Sequence, residues 1–236
     1  MSTINPIRVR FKKDHVNFNN IVQDGLVLNL DAGNANSYPG SGTTWTDLSG
    51  NGNNGTLVNG VGYNSSNGGS LSFDGTNDYV DVSGSIPVSA ATFLAWVRLD
   101  GGQSSFTGVI FSRSSATSGM NFYYASEQIG YHWNDASNTY SWQSGLIVPT
   151  QEWCMMVVTV TSSSATAYLC RSSGITSATN TVSHSSTTLD AINVGRDSSS
   201  GRDLDGRMSV AMIYNKALTA SEVAQNFNAT RSRFGI

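Results

Sequence analysis

Little in this sequence would build a helical or a disordered protein. Only 12% of the residues are charged and strong helix formers are scarce, yet 39% are hydrophobic and 10% aromatic. That is enough apolar mass for a packed core. Cysteine is nearly absent, with only Cys154 and Cys170, too few to staple a scaffold or to fix a redox compartment. No apolar run reaches about 18 residues, which excludes a membrane-spanning helix. The opening stretch, MSTINPIRVRFKKDH, has no apolar segment of the kind a signal peptide needs. Either a leader has been removed, or the chain is made and assembled in the cytoplasm. A net charge of −3 draws neither nucleic acid nor an anionic membrane surface, so neither partner is expected. Histidine is sparse too. His15, His132 and His184 lie far apart, in no metal-ligand or triad-like motif.

What is abundant is Gly, Ser, Thr and Asn. Asn-Gly pairs stand at 51–52, 54–55, 59–60 and 67–68, and Asn-Gly tolerates the positive φ of tight turns. Between the turns run short apolar or alternating segments, as half-buried strands have. They are 25–30, 71–73, 79–82, 92–99, 108–112, 121–124, 128–133, 153–161, 165–170, 191–195 and 207–214. One helix is signalled near the C-terminus. Thr219 and Glu222 form a Thr-x-x-Glu capping box, and Val223 and Phe227 share a face. The fold class is therefore all-β, an antiparallel two-sheet sandwich with one short C-terminal helix. Residues 1–24 form a basic arm, in which Arg8, Arg10, Lys12 and Lys13 outweigh Asp14, and residues 25–236 form the domain. A hairpin turn near Ser163 sets Cys154 opposite Ser172 and Cys170 opposite Met156. That diagonal placement favours free, buried thiols.

Three segments resemble the laminin-G-like, concanavalin-A-like jelly-roll superfamily. The first joins Trp45–Leu57, with its Asp-Leu-Ser-Gly-Asn-Gly turn, to Leu71–Val80. The second is Trp153 through Tyr168, and the third runs from Val194-Gly195 and Asp205-Gly206-Arg207 to Thr219. The variant Leu30-Asp31-Ala32-Gly33-Asn34 with Ser37–Gly42 looks like versions found in tailed-phage virion proteins and in bacterial surface proteins. The resemblance implies one concave and one convex sheet, and often a bound calcium. It does not fix a function, because the superfamily spans lectins, adhesion modules, structural domains and glucanases. Its glucanases carry two glutamates and an aspartate alternating along one strand. Here the glutamates are Glu127, Glu152 and Glu222, none with an acidic residue two or four positions away, so no catalysis is expected.

Two candidate sites follow. Calcium takes oxygens from carboxylates, amides and carbonyls; Asp47 and Asp205 stand at family positions where loop ends would converge, and Asn53 is a third candidate ligand. The competing reading is that Asp47, Asn51 and Asn53 only cap turns. The segment 121–142 is rich in aromatics, and Tyr131, Trp133, Asp135 and Trp142 are candidates for a glycan platform. Sugars stack on aromatic faces while carboxylates bond their hydroxyls. The same residues also read as core, with Ile129, Tyr131 and Trp133 facing one way. The expected function is a non-catalytic phage virion surface protein, a capsid decoration or fibre-associated module. It would bind host-surface glycan or another virion protein, as a homo-oligomer or attached to a particle. The alternative is an extracellular one, a calcium-dependent carbohydrate-binding module of a secreted bacterial protein.

Overall fold

A computed structural model describes residues 21–236 apart from Ser115, Ala125 and Ser200. The arm cations Arg8, Arg10, Lys12 and Lys13 lie outside the described residues. In chain order the strands are β1 (Leu26–Asp31), β2 (Thr44–Trp45), β3 (Gly55–Val58), β4 (Gly62–Asn64), β5 (Ser70–Asp74), β6 (Tyr79–Val82), β7 (Ile86–Val88), β8 (Ala91–Leu99) and β9 (Gly108–Arg113). They continue with β10 (Thr117–Tyr123), β11 (Gln128–His132), β12 (Cys154–Val160), β13 (Ala165–Arg171), β14 (Gly174–Asn180), β15 (Thr187–Leu189), β16 (Ile192–Val194) and β17 (Asp205–Tyr214). Two helices, α1 (Ser137–Tyr140) and α2 (Ala220–Thr230), and two 3-10 turns, Ser66–Gly68 and Arg231–Phe234, complete the set among the described residues.

Two large antiparallel sheets lie face to face, and β7 and β15 pair in a small third sheet. The larger has the order β14-β13-β12-β8-β17-β5-β4, with β1 also paired to β17, and the smaller has the order β11-β10-β9-β16-β6-β3-β2. This is the jelly-roll sandwich the sequence implies. One core lies between the sheets, where Trp45, Phe73, Phe93, Met156, Tyr131 and Trp133 meet. A second lies on the outer face of the larger sheet, under α2. The central strands β8 and β12 are consequently buried on both faces. That is why they read as continuous apolar runs, Cys-Met-Met-Val-Val, instead of alternating.

The capping box forms as expected: Glu222 N donates to Thr219 Oγ1 at 3.2 Å and Thr219 N to Glu222 Oε2 at 2.8 Å. The helix then lays Val223 and Phe227 on Trp96, whose ring stacks on Phe227 at 5.7 Å and Phe234 at 4.1 Å. Trp96 Nε1 donates to Thr230 Oγ1 at 2.8 Å. Arg233 pins the end of the chain to the sheet. It donates to Asp31 Oδ1 at 2.6 Å, to the Gly69 carbonyl at 2.9 Å and to the Asn67 carbonyl at 3.0 Å.

The structure corrects the sequence reading in three places. The β12–β13 hairpin is one residue out of the expected register: Met155 faces Cys170, and Val160 faces Ala165. A one-residue slip exchanges the faces of a strand. Cys154 therefore lies in the inter-sheet core and Cys170 under the helix. Both are free and buried. Second, Ile21 and Val22 belong to the domain, not to the arm. Both pack in the outer core, and Val22 N donates to Asn226 Oδ1 at 2.8 Å. Third, β14 carries no sequence signal, because its Gly-Ile-Thr-Ser-Ala-Thr-Asn run is largely exposed and has no alternating pattern.

Candidate functional site

The outer face of the smaller sheet carries a pocket of about 420 Å³, within the range of small-molecule sites. Alternation builds it. At the end of β11, Tyr131 and Trp133 point into the core, so His132 between them points the other way. The His132 ring meets Phe111 edge-on at 5.1 Å, Phe106 at 5.5 Å and Tyr140 at 5.3 Å. Phe106 also meets Tyr124 at 5.0 Å, and Tyr124, 60% exposed, forms the open rim. Ser141, Ser199 and Asp135 add hydroxyl and carboxylate oxygens to the lining.

One wall is held by charge. Asp197, at the bottom of a Ser-rich loop, has a fully buried side chain and binds two guanidinium groups. Arg113 bonds it through Nε and through Nη2, the latter at 2.8 Å, and Arg202 through Nη1 at 2.6 Å. Burial alone would raise the Asp197 carboxyl. The hydrogen bonds from Arg113 and Arg202 outweigh it and hold the group below its ordinary range. Asp197 is therefore a fixed anion that orients two cations, not a proton donor. The Arg202 guanidinium lies 5.0 Å over the Phe106 ring, a cation–π contact that leaves the edge of the guanidinium toward the pocket.

Two further features mark this place. Neither ring nitrogen of His132 has a hydrogen-bond partner among the described residues, although both are buried. Burial pushes its pKa down to about 4, and the Asp197 charge only partly offsets that. The ring is neutral at pH 7, with one donor and one acceptor unused. Four residues around the pocket also hold positive φ without being glycine: Phe106 at 63°, Tyr124 at 23°, Asn134 at 51° and Asp135 at 55°. Such conformations cost on the order of 1–3 kcal/mol each and concentrate at functional sites.

Of the nominated glycan platform, only Asp135 lines this pocket. Its Oδ2 accepts from Thr117 N at 3.2 Å. Tyr131 and Trp133 are 1% exposed, in the inter-sheet core, so they offer no stacking face. Their polar ends are satisfied inside: Tyr131 OH meets His184 Nε2 at 3.0 Å, and Trp133 Nε1 donates to the Ser185 carbonyl at 2.7 Å. Trp142 is half-buried against the same core.

The nominated calcium ligands do not converge either. Asp47 Oδ1 accepts from Asn29 N and Ser49 N, both at 2.9 Å; its Oδ2 accepts from Ser49 Oγ at 2.7 Å and Asn53 N at 3.0 Å. The Asn53 amide donates to the Val27 carbonyl at 2.8 Å. These groups sit beside Asn29, which faces Met212 near the far end of β17. Asp205 opens that same strand, seven residues away, or roughly 23 Å at about 3.3 Å per residue. One ion cannot bridge that span, and Asp47 and Asn53 are turn-forming residues. No group of three or more His, Cys, Asp or Glu placed to hold a metal occurs among the described residues.

A laminin-G-type family model, described as the concanavalin A-like lectin/glucanases superfamily, matches residues 74–224. The chain belongs to this superfamily. No curated protein sequence matches it significantly. Among solved structures, the concanavalin A-like chain is similar to domain 4 of AbnA, a GH43 extracellular arabinanase from Geobacillus stearothermophilus, in complex with arabinotriose. The TM-score is 0.61 at 16% identity, over 87% of this chain and 98% of that one. It is also similar to a Trypanosoma rangeli sialidase in complex with sialic acid, with a TM-score of 0.60 at 17% identity. There it covers 89% of its own length but only 33% of the sialidase. At these identities the likeness is one of fold. Within that fold each glutamate of this chain has a structural task. Glu127 Oε1 accepts from Gln103 N at 2.9 Å, Glu152 pairs with Arg171 at 2.8 Å, and Glu222 caps α2.

Proposed function

We propose that this superfamily member is a non-catalytic glycan-binding module whose ligand occupies the pocket between Phe106, His132, Tyr140 and Arg202. The observation that carries this reading is the pocket itself, in which the rings of Phe106, Tyr124, His132 and Tyr140 line one space with the Arg113 and Arg202 guanidinium groups. A pyranose or furanose ring stacks on such faces, and its hydroxyls accept hydrogen bonds from guanidinium groups and donate them to carboxylate and serine oxygens. Binding is favoured over hydrolysis. Of the two aspartates here, Asp197 is locked as an anion by two arginines, and Asp135 is exposed and bonded to Thr117 N.

The setting we propose is the surface of a phage particle, as a capsid decoration or fibre-associated module contacting host-surface glycan. It is motivated by the residue 30–42 motif. A second setting, a carbohydrate-binding module of a secreted bacterial protein, is favoured by the match to nearly the whole of a domain of an extracellular arabinanase. The test has two parts. A glycan array probed with the full chain should give a defined set of hits that vanish with Arg202→Ala, and purified particles should carry the chain in fixed copy number. An array without hits would end the glycan reading. Hits without particle association would move the module to the second setting.

A further inference from the structure

We propose that β14 is a self-association edge, along which two copies of this chain pair antiparallel to continue the larger sheet across a two-fold axis. An open strand edge is a template for another strand, and proteins blunt such edges with short strands, charges, proline, bulges or covering loops. This chain blunts the other edges of its two large sheets, and its third sheet pairs two strands of three residues each, one of them carrying Pro87. β2 has two residues and β4 has three. β1 is covered by the loop 37–53: Leu48 N donates to the Asn29 carbonyl at 2.8 Å, and the Asn53 amide to the Val27 carbonyl at 2.8 Å. β11 is covered by 144–148, with Ile129 N donating to the Leu146 carbonyl at 3.0 Å and Val148 N to the Glu127 carbonyl at 2.9 Å.

β14 alone has none of these devices. Its seven residues pair with β13 from Gly174 to Asn180 without a bulge, and no strand lies on its other side among the described residues. From Ser172 to Ser183 there is no charge and no proline. Residues 174–177 and Thr179 are exposed, among them Ile175 at 39%. The open edge runs for seven residues, roughly 23 Å at about 3.3 Å each.

The occupant that fits is a second copy. Full-length antiparallel self-pairing centres on Ser177, the middle residue, and sets Ile175 opposite Thr179 of the partner subunit. No like charges are opposed, which is the condition such an isologous contact has to meet. Two glycan pockets would then ride on one assembly, so the geometry also supplies avidity.

The test is native mass of the full chain across a concentration series, with Ser177→Lys and Ser177→Glu. Wild type should show twice the chain mass. Each variant should be monomeric, with a melting curve like that of wild type at dissociating dilution, and mixing the two should restore the dimer, because opposite charges then face each other at the centre. A wild-type chain that stays monomeric at its highest soluble concentration would overturn the proposal, as would variants that dimerise like wild type. Should the variants fail to fold, hydrogen exchange of the wild type decides. Protection of Ile175–Thr179 amides that rises with concentration supports the edge contact, and concentration-independent exchange refutes it.

Discussion

Replacing Asp47 with alanine separates turn chemistry from metal binding, and its size follows from the structure. Asp47 is buried and accepts four hydrogen bonds, from Asn29 N, Ser49 N, Ser49 Oγ and Asn53 N. Without the carboxylate, the Asn29 amide is left buried without an acceptor, which costs about 1–3 kcal/mol. The Ser49 and Asn53 amides are half-buried and can turn to water, at roughly 0.5 kcal/mol each. The loss for Asp47→Ala is therefore about 3 kcal/mol. In a chain of this length that corresponds to a fall in Tm of roughly 6–12 °C. Urea unfolding and thermal melts, each run with added calcium and with chelator, should show the same deficit in both conditions. A deficit below about 1 kcal/mol, or one present only with calcium, would refute the turn-forming account.

Three further outcomes are expected. The folded chain keeps His132 neutral with a pKa of about 4, while the unfolded chain takes up its proton near about 6.5. Stability contributed above the unfolded value is therefore lost as pH falls from about 6.5 to about 4, by up to roughly 3 kcal/mol. His132→Asn should flatten that part of the pH profile relative to wild type, and parallel profiles would contradict it. Arg233→Ala leaves Asp31 buried without its cation and should lower the urea-derived stability by about 3–5 kcal/mol. Burial raises the Cys154 thiol and pushes Cys170 up to about 12. Neither should react with a thiol reagent until the chain unfolds; labelling of the native protein at pH 8 would show that β12 or β13 opens.

The framework of the sandwich was legible because burial leaves a periodic trace. β8, β12, β13 and β17 appear in the sequence as apolar runs of strand length, and α2 announces itself through Thr219 and Glu222. β14 left no trace, since an exposed Ser/Thr strand has nothing to bury and hence no pattern. The hairpin register missed by one residue because strand pairing in a Ser-rich turn depends on loop geometry, which composition does not specify. In the aromatic segment the core reading holds for Ile129, Tyr131 and Trp133, and the glycan-platform reading of Tyr131 and Trp133 does not. Tyr131 and Trp133 are larger and more conspicuous than His132, and size in such an alternation marks the core face. The pocket draws on Phe106, Arg113, His132, Tyr140 and Arg202, which span almost a hundred residues. Only the fold brings them together. One usable signal existed: residues 196–203 set Arg196-Asp197 and Arg202-Asp203 on either side of a Ser-Ser-Ser-Gly run, where each charge needs a partner.

The central claim is that the pocket around Phe106 holds a glycan, and calorimetric titration with the strongest array hit tests it most directly. Three variants are compared with wild type: Phe106→Ala removes the central ring, Tyr124→Ala the exposed rim, and Thr188→Ala alters the separate cleft beside Pro87. Loss of aromatic stacking together with apolar area is worth at least about 1.4 kcal/mol, or tenfold in Kd. The account predicts at least that loss for Phe106→Ala, a smaller one for Tyr124→Ala, and an unchanged Kd for Thr188→Ala. Wild-type affinity in a folded Phe106→Ala chain would contradict it.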